Sequence, residues 1–569
     1  MPIVATSSGP GQPVGEASRA APEARHHPRW ACVLWACLSC LALVACEGEI
    51  DPGHAGPGVR RGSLQPAPAG LRTLTPPQYE ATVRGVLGLG PAGSDEAPVA
   101  PLGQWATSEG AARGGLSPQI VWEFEEAARD AAAYMFSEPA RRDAWVGCTP
   151  ALGPGDACTA AFVARVGRRA FRRDLDDEEF ARWTGLASAL GATEGSAHRG
   201  LELALSGLLQ SPNFLYRVEL GEVGLEAGDL DGRVPYTDHE MATRLAFLLW
   251  GEGPDEALLD AADLGEMSAP DDLDRVIDAM LDDPRAARGV ERFLGELLSL
   301  DALSTLDKDA EVLPGFASLR TPLRDELLRT AVQGLAEGGF PGMFRTRSVF
   351  ASPATAALFG LDPAALPATM EAGPLEGRAG ILTTPGFLAM HAYPGKTSPA
   401  LRGLAVRRTF LCQDIPPPPP GVSTVLPTMV GERLVTAREL VAVHQTEPSC
   451  AGCHSLIDPI GLGLERFDTV GVRRDTENGL PIDEAGQLDG APFSDSMGLG
   501  AAVASHPALL PCMASKLLAY AEGITVPTRH RDVSVLARGT GDVRAMLRAL
   551  ARSDHFRFSW PLPIEEAAP

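Results

Sequence analysis

Positive charge is scarce in this sequence. Lysine and arginine number 49 against 73 aspartates and glutamates in 569 residues, a formal net charge of −24. Nucleic acid is held by a basic footprint, which the chain as a whole lacks, so nucleic acid is not expected as a partner. Also missing are a Gly-rich phosphate loop, a Ser-His-Asp set at recognisable spacing and the second Cys-X-X-Cys or paired His of a zinc site. No sustained polar–apolar alternation suggests a sheet, and no apolar run reaches the ~20 residues of a spanning helix. What is there is 45% hydrophobic residues, ample for sizeable cores, in a length that suits three or four domains of about 150 residues.

The first 27 residues read as a disordered leader, rich in Pro, Gly, Ala and Ser without apolar period. Residues 28–46 read as a signal peptide: Arg25 and Arg29 precede an apolar run from Trp30 to Ala45, the length of an h-region. It ends Leu43-Val44-Ala45-Cys46, which resembles a bacterial lipobox, so Cys46 is the expected lipidation site and the membrane a partner through its acyl chains. Glu47 in place of Asp favours the outer membrane, and the expected location is the cell envelope, in the periplasm or at the outer-membrane surface. Residues 47–72 are a Gly- and Pro-rich linker.

The body is expected to be mainly α, a multi-domain helical assembly with domains at 73–190 and 191–375. Thr75 to Gln78 and Thr237 to Glu240 match capping boxes, Ser117-Pro118 opens a helix running to about Phe136, and Asp176 is an N-cap. Val121, Phe124, Ala128, Ala131 and Met135 of the second helix are expected inward. Arg165, Arg168, Arg169 and Arg172 share a helix face, to be paired at the surface with Asp174, Asp176, Asp177, Glu178 and other acids of this acidic chain; a face that holds a carboxylate or phosphate is the alternative. His239 reads as helix surface. Residues 376–425 change character and include Pro416 to Pro420, an extended polyproline strut.

Near the start of the last quarter stands Cys450-Ala451-Gly452-Cys453-His454. Two thiols, two intervening residues and an adjacent imidazole suit one covalent haem c: Cys450 and Cys453 bond the porphyrin edge and His454 is the proximal iron ligand. With ten Cys and eleven His, chance placement gives this order about once in three hundred such chains. Thr436 to Glu439 caps the helix before it, and a helix over about 508–523 closes the module, 430–523. Asp458, Glu465 and Asp468 read as loop-ordering acceptors. Residues 524–569 form a tail with a short helix. An oxidising compartment permits disulfides, and Cys148, Cys158, Cys412 and Cys512 remain, with three pairings open. Cys148 with Cys158 is preferred, across the turn Gly153-Pro154-Gly155, leaving Cys412 with Cys512.

Leu74-Thr75 through Leu89, Arg168 through Arg173, Ser211 through Arg217, Arg244 through Trp250, Thr397-Ser398-Pro399 with Arg402-Gly403, and Cys450 through Pro459 occur in an order that resembles one family. It comprises large exported bacterial haem-binding lipoproteins built from consecutive domains of unknown function and ending in a cytochrome-c-like region. The resemblance covers about Leu74 to Gly523, with Phe344 to Leu361 shortened and altered relative to it. It implies a class I cytochrome-c-like C-terminal module whose entering and closing helices pack together, with Met497 where a distal thioether would stand. Met513, His444 and His506 compete with Met497, and an open sixth position is a further alternative. The expected function is electron transfer with an unidentified redox partner protein, or haem-dependent oxidation by an oxidoreductase of unknown substrate. The alternative is a surface scaffold lipoprotein with haem absent or only structural.

Overall fold

Side-chain caps set the helix starts. The computed structural model describes residues 67–68, 70–90, 117–221, 233–367, 371–416, 429–430, 433–446, 448–524, 531–539 and 541–560. The expected leader, signal peptide and lipidation site Cys46, most of the expected linker, the expected strut beyond Pro416 and the last nine residues lie outside them. All described residues fall in one compact unit, 58–569.

The first seven helices are α1 (Pro76–Leu87), α2 (Pro118–Ser137), α3 (Pro139–Val146), α4 (Ala157–Phe171), α5 (Asp177–Glu194), α6 (Ala197–Leu208) and the short α7 (Pro212–Leu215). Asp176 accepts from the Glu179 amide at 2.8 Å while Glu179 reaches back to the Asp176 amide at 3.1 Å, the reciprocal box that starts α5. At α1 only half the box is made: Gln78 accepts from the Thr75 amide at 3.1 Å, and the Thr75 hydroxyl is buried without a partner. In α2 the buried stripe is Phe124, Ala127, Ala128, Ala131, Ala132 and Met135, but Val121 is 49% exposed. Its turn overhangs the packed face, so the apolar period outruns the core by one turn.

These helices bury Tyr79, Phe124, Phe162 and Phe214 in one core, with the Tyr79 ring 4.8 Å from Phe124 and 5.5 Å from Phe214. Each such ring contributes about 1.5–3 kcal/mol by leaving water. The disulfide Cys148–Cys158 closes the turn that feeds α4, and Cys412–Cys512 closes the second expected pair.

A second core runs from Tyr236 to Phe556. It gathers α8 (Asp238–Leu249), α9 (Glu256–Asp263), α10 (Pro270–Asp282), α11 (Arg285–Leu297) and α12 (Arg320–Gly342), the last broken at Gly338 and Gly339. To it belong α13 (Pro385–Met390), α14 (Pro399–Ala405) with a π-helical turn Val406–Phe410 and, with α15 (Ala437–Thr446) packed against it, α16 (Pro448–Leu462). Then follow α17 (Ser496–Ala504), α18 (Leu509–Glu522), α19 (Arg531–Leu536), α20 (Val543–Ala551) and α21 (Asp554–Arg557). Strands are short, such as the antiparallel ladder Gly70–Thr73 with Tyr216–Glu219 and the hairpin Gly486–Leu488 with Ala491–Phe493. The protein is mainly helical.

Helix α18 is buried nearly all round, from Leu509 to Glu522. A helix apolar on every side belongs inside a core, not on one as a lid. Its main partners are α8, α11, α12, α19, α20 and the π-turn, while α16 packs on α15, on α14 and on the 486–493 hairpin. The resemblance implies that α18 packs with the entering helix, α15; its main contacts among the described residues are with the second core. Among the described residues no single helix is long and apolar enough to cross a membrane, and α17 with α18, which qualify only together, are bent by 68°.

Candidate functional site

Helix α16 carries the motif. Cys450, Cys453 and His454 stand at i, i+3 and i+4, so one face presents both thiols and the imidazole. Both cysteines are half-buried and outside any disulfide. One turn on, Asp458 is fully buried and its carboxylate meets His454 Nδ1 at 2.9 and 3.1 Å. That hydrogen bond raises the imidazole pKa above its usual value. It also fixes the proton on Nδ1, so in the neutral ring the lone pair is on Nε2, the arrangement by which a carboxylate orients a metal-binding histidine. Asp458 is therefore not the loop-ordering acceptor expected after the motif: the helix continues through Pro459 to Leu462 and turns its carboxylate onto the site. The four-residue spacing from His454 was the available signal. Asp468 does order a loop, accepting from the Val470 and Val472 amides at 2.9 Å.

The back of α16 is fixed by contact too close for side chains. A Cβ on Gly461 would lie 1.8 Å from the Pro399 carbonyl oxygen, and one on Gly403 would lie 1.9 Å from that of Ile457. A Cβ on Gly452, inside the motif, meets nothing within 4 Å. Gly461→Ala is therefore expected to cost about 1–3 kcal/mol through forced separation of α14 and α16. Gly452→Ala should be neutral or stabilising, and thermal melts of the two variants check the contrast. Arg407 of the π-turn adds a second clamp, donating to the Leu456 carbonyl at 2.7 Å and pairing with Asp489 at 2.7 Å. Pro459 has no N–H for the carbonyl four residues back, and the clamp sits beside that weakened turn.

Beneath the site lies a buried polar knot. Arg402, fully buried, donates to the carbonyls of Leu464 (2.7 Å), Phe467 (2.9 Å) and Asp468 (2.7 Å) and pairs with Glu465 at 3.0 Å. Glu465 also accepts from the Thr397 hydroxyl at 2.6 Å and faces Arg474 at 3.2 Å. The carboxyl of Glu465 is pushed up by burial, against the pull of these cations.

The candidates for a sixth iron ligand have the following surroundings. Met497 heads α17 with the Arg347 guanidinium against its sulfur, and Met513 is enclosed in the second core. His506 has both nitrogens engaged: Nε2 meets Asp489 at 3.0 Å and Nδ1 accepts from the Ala508 amide at 3.1 Å. The His444 side chain lies outside the described residues. No cluster of three or more His, Cys, Asp or Glu among the described residues is arranged to hold a metal ion.

On the arginine face of α4, Arg168 bears out the expected pairing with acids and Arg172 does not. Arg168 does pair with Asp174 at 2.9 Å, but its other partners come from α9: Glu256, Asp260 (2.9 Å) and Asp263 (2.5 Å). Arg172 leaves the surface altogether and donates to the carbonyls of Asn213, Phe214 and Tyr216. Asp176 caps α5, Glu178 pairs with Arg182 at 2.8 Å and Glu179 with Arg173 at 2.8 Å. His239 packs beside Asp263 at 3.0 Å.

Three family models match in succession, each described as a protein of unknown function: DUF1595 (PSD5) over 158–219, DUF1592 (PSD4) over 236–361 and DUF1588 (PSCyt3) over 378–477. No curated protein and no solved structure matches the chain. The chain is a multi-domain protein built from successive domains of unknown function, and the Cys-Ala-Gly-Cys-His helix lies within the last of the three.

Proposed function

We propose that this protein is an envelope-anchored, monohaem c-type protein that takes part in electron transfer or haem-dependent oxidation. The observation that carries the reading is the His454–Asp458 pair on the same helix as two half-buried thiols outside any disulfide. The residues fit the group: Cys450 and Cys453 would bond its edge, His454 would bind iron through Nε2, and Asp458 would hold the ring at Nδ1. Leu456, 42% exposed beside the motif, adds apolar surface suited to a flat macrocycle. Bound in this way, haem c supplies one-electron redox chemistry tuned by its axial ligands. The chain's own residues do the positioning: Asp458 sets the tautomer and angle of the imidazole, and the Gly403 and Gly461 contacts fix the helix that carries both thiols. Export follows from the lipobox reading, in which acylated Cys46 tethers the protein to the membrane, and the name PSCyt3 is consistent with a cytochrome relationship.

The test is a pyridine haemochrome spectrum, with intact mass, on protein matured in an export-competent host that makes c-type cytochromes. One covalent haem per chain is expected, and none in the variant carrying Cys450→Ala and Cys453→Ala. Wild-type protein that matures without covalent haem would end the reading.

A further inference from the structure

Three buried glutamates of this chain are matched by guanidinium groups. Glu219 meets Arg72 at 2.9 Å and Arg217 at 2.8 Å, Glu522 meets Arg244 at 2.7 Å, and Glu465 meets Arg402 at 3.0 Å and Arg474 at 3.2 Å. Asp458 is buried as deeply, at 0% exposure, and is treated differently. Both of its oxygens turn to one group, His454 Nδ1, at 2.9 and 3.1 Å, and among the described residues no lysine or arginine pairs with it.

A carboxylate taken out of water is costly unless positive charge stands against it. A neutral imidazole offers Asp458 one N–H and no charge. The ring gains that charge when Nε2 binds a metal, and the Nδ1–H contact with the carboxylate then becomes charge-assisted. The ferric state places one more positive charge behind His454 than the ferrous state does, so the buried carboxylate favours the oxidised form. It also makes the imidazole a stronger electron donor, which acts in the same direction. The helix is pinned around Asp458, so the carboxylate is held to this task. Arg407 donates to the Leu456 carbonyl at 2.7 Å, and Gly403 and Gly461 bring the α14 backbone against Ile457 and Gly461.

We propose that Asp458, acting through His454, sets the redox potential of the motif site low, so that the site rests oxidised and is reduced only by a strongly reducing one-electron donor. The inference rests on the haem reading and deepens it by naming the class of partner. Asp458 is a positioning residue: it touches the imidazole and not the group that the imidazole binds. A centre held in this way takes its electron from a low-potential protein and passes it to an acceptor of higher potential. The unshared charge of Asp458 is what separates this site from the knot behind it, where Arg402 and Arg474 divide the charge of Glu465 between them.

The experiment is a potentiometric titration of the full mature chain carrying its covalent haem, followed by visible absorption. Asp458→Asn keeps an oxygen for Nδ1–H and removes the charge, and it should shift the equilibrium towards the reduced form at least about tenfold, about 59 mV for a one-electron couple. Asp458→Glu, which keeps the charge, should stay closer to wild type than Asp458→Asn does. The wild type supplies a test that needs no variant: it should stay oxidised in excess ascorbate and be reduced by dithionite. Thermal melts identify variants that have not folded, and the ascorbate result then decides. Reduction of the wild type by ascorbate, or a folded Asp458→Asn whose reduction equilibrium lies within about twofold of wild type, would overturn the assignment and leave the haem reading intact. Wild-type protein without covalent haem in the haemochrome spectrum would end both.

Discussion

Arg244→Met is expected to lower folding stability by about 3–5 kcal/mol, the cost of leaving buried charge without its partner. Arg244 is fully buried, pairs with Glu522 at 2.7 Å and with Glu219, and donates to the Phe556 carbonyl at 3.0 Å. Arg72 meets Glu219 at 2.9 Å and Glu522 at 3.1 Å, and Arg217 meets Glu219 at 2.8 Å. Three guanidinium groups thus share two carboxylates, every side chain in the cluster at most 7% exposed. Removing Arg244 strips one cation from both glutamates at once and gives neither a route to water. Urea denaturation of the mature chain measures the loss. Arg182→Met, which breaks only an exposed pair with Glu178, should stay within about 0.5 kcal/mol of wild type. A midpoint for Arg244→Met as little changed as that control would remove the cluster from the list of what holds the fold together.

The same cluster sets an acid limit. Burial would push the Glu219 carboxyl up, but the guanidinium groups of Arg217, Arg244 and Arg72 outweigh it and hold the group at about 2. The folded value lies below the unfolded one, so this contribution is fully present above about pH 4.5 and is lost as the pH falls towards about 2. Wild-type stability should therefore fall steeply through that window, and the Arg244→Met variant should fall less there, having less to lose.

The local chemistry of this fold is legible in the sequence and its long-range pairing is not. Asp176, Ser117 and Thr237 announce helix starts because a cap needs only residues three positions apart, and all three cap as their spacing implies. The pairing Cys148–Cys158 is legible for the same reason, through the turn between them. Nothing local ties Arg72 to Glu522, 450 residues away, or Arg168 to the acids of α9. An isolated Arg reads as surface until the fold supplies its partner, so the burial of Arg172, Arg244 and Arg402 and the groups they meet stay hidden in the sequence. Asp458 was visible but misplaced, because Pro459 suggests a helix end and the packing of α14 carries the helix past it. The π-turn at 406–410 has no composition signature.

Arg402→Met tests the packing behind the motif and has an expected cost of the same size, about 3–5 kcal/mol. The variant leaves Glu465, 2% exposed, with Arg474 as its remaining cation, and the carbonyls of Leu464, Phe467 and Asp468 lose their shared donor. Arg402→Lys should recover only part of the loss, since one ammonium cannot span the separated acceptors that a planar guanidinium reaches. The penalty should also depend on pH in a direction opposite to that at Glu219. Burial already pushes Glu465 above its ordinary value with Arg402 present, and removing the cation pushes it further. A carboxyl raised in the folded state stays protonated there at pH values that ionise it in the unfolded chain, so stability is lost as pH rises through the folded value. Urea midpoints compared at about pH 5 and about pH 8 should therefore show a larger deficit for Arg402→Met at the higher pH. An equal deficit at both would mean that the stranded carbonyls, and not Glu465, carry the cost. Because Arg402 lies on the helix that meets α16 through Gly403, the variant should also loosen the helix bearing Cys450, Cys453 and His454, measurable as faster amide hydrogen exchange along 450–462 than in Arg182→Met.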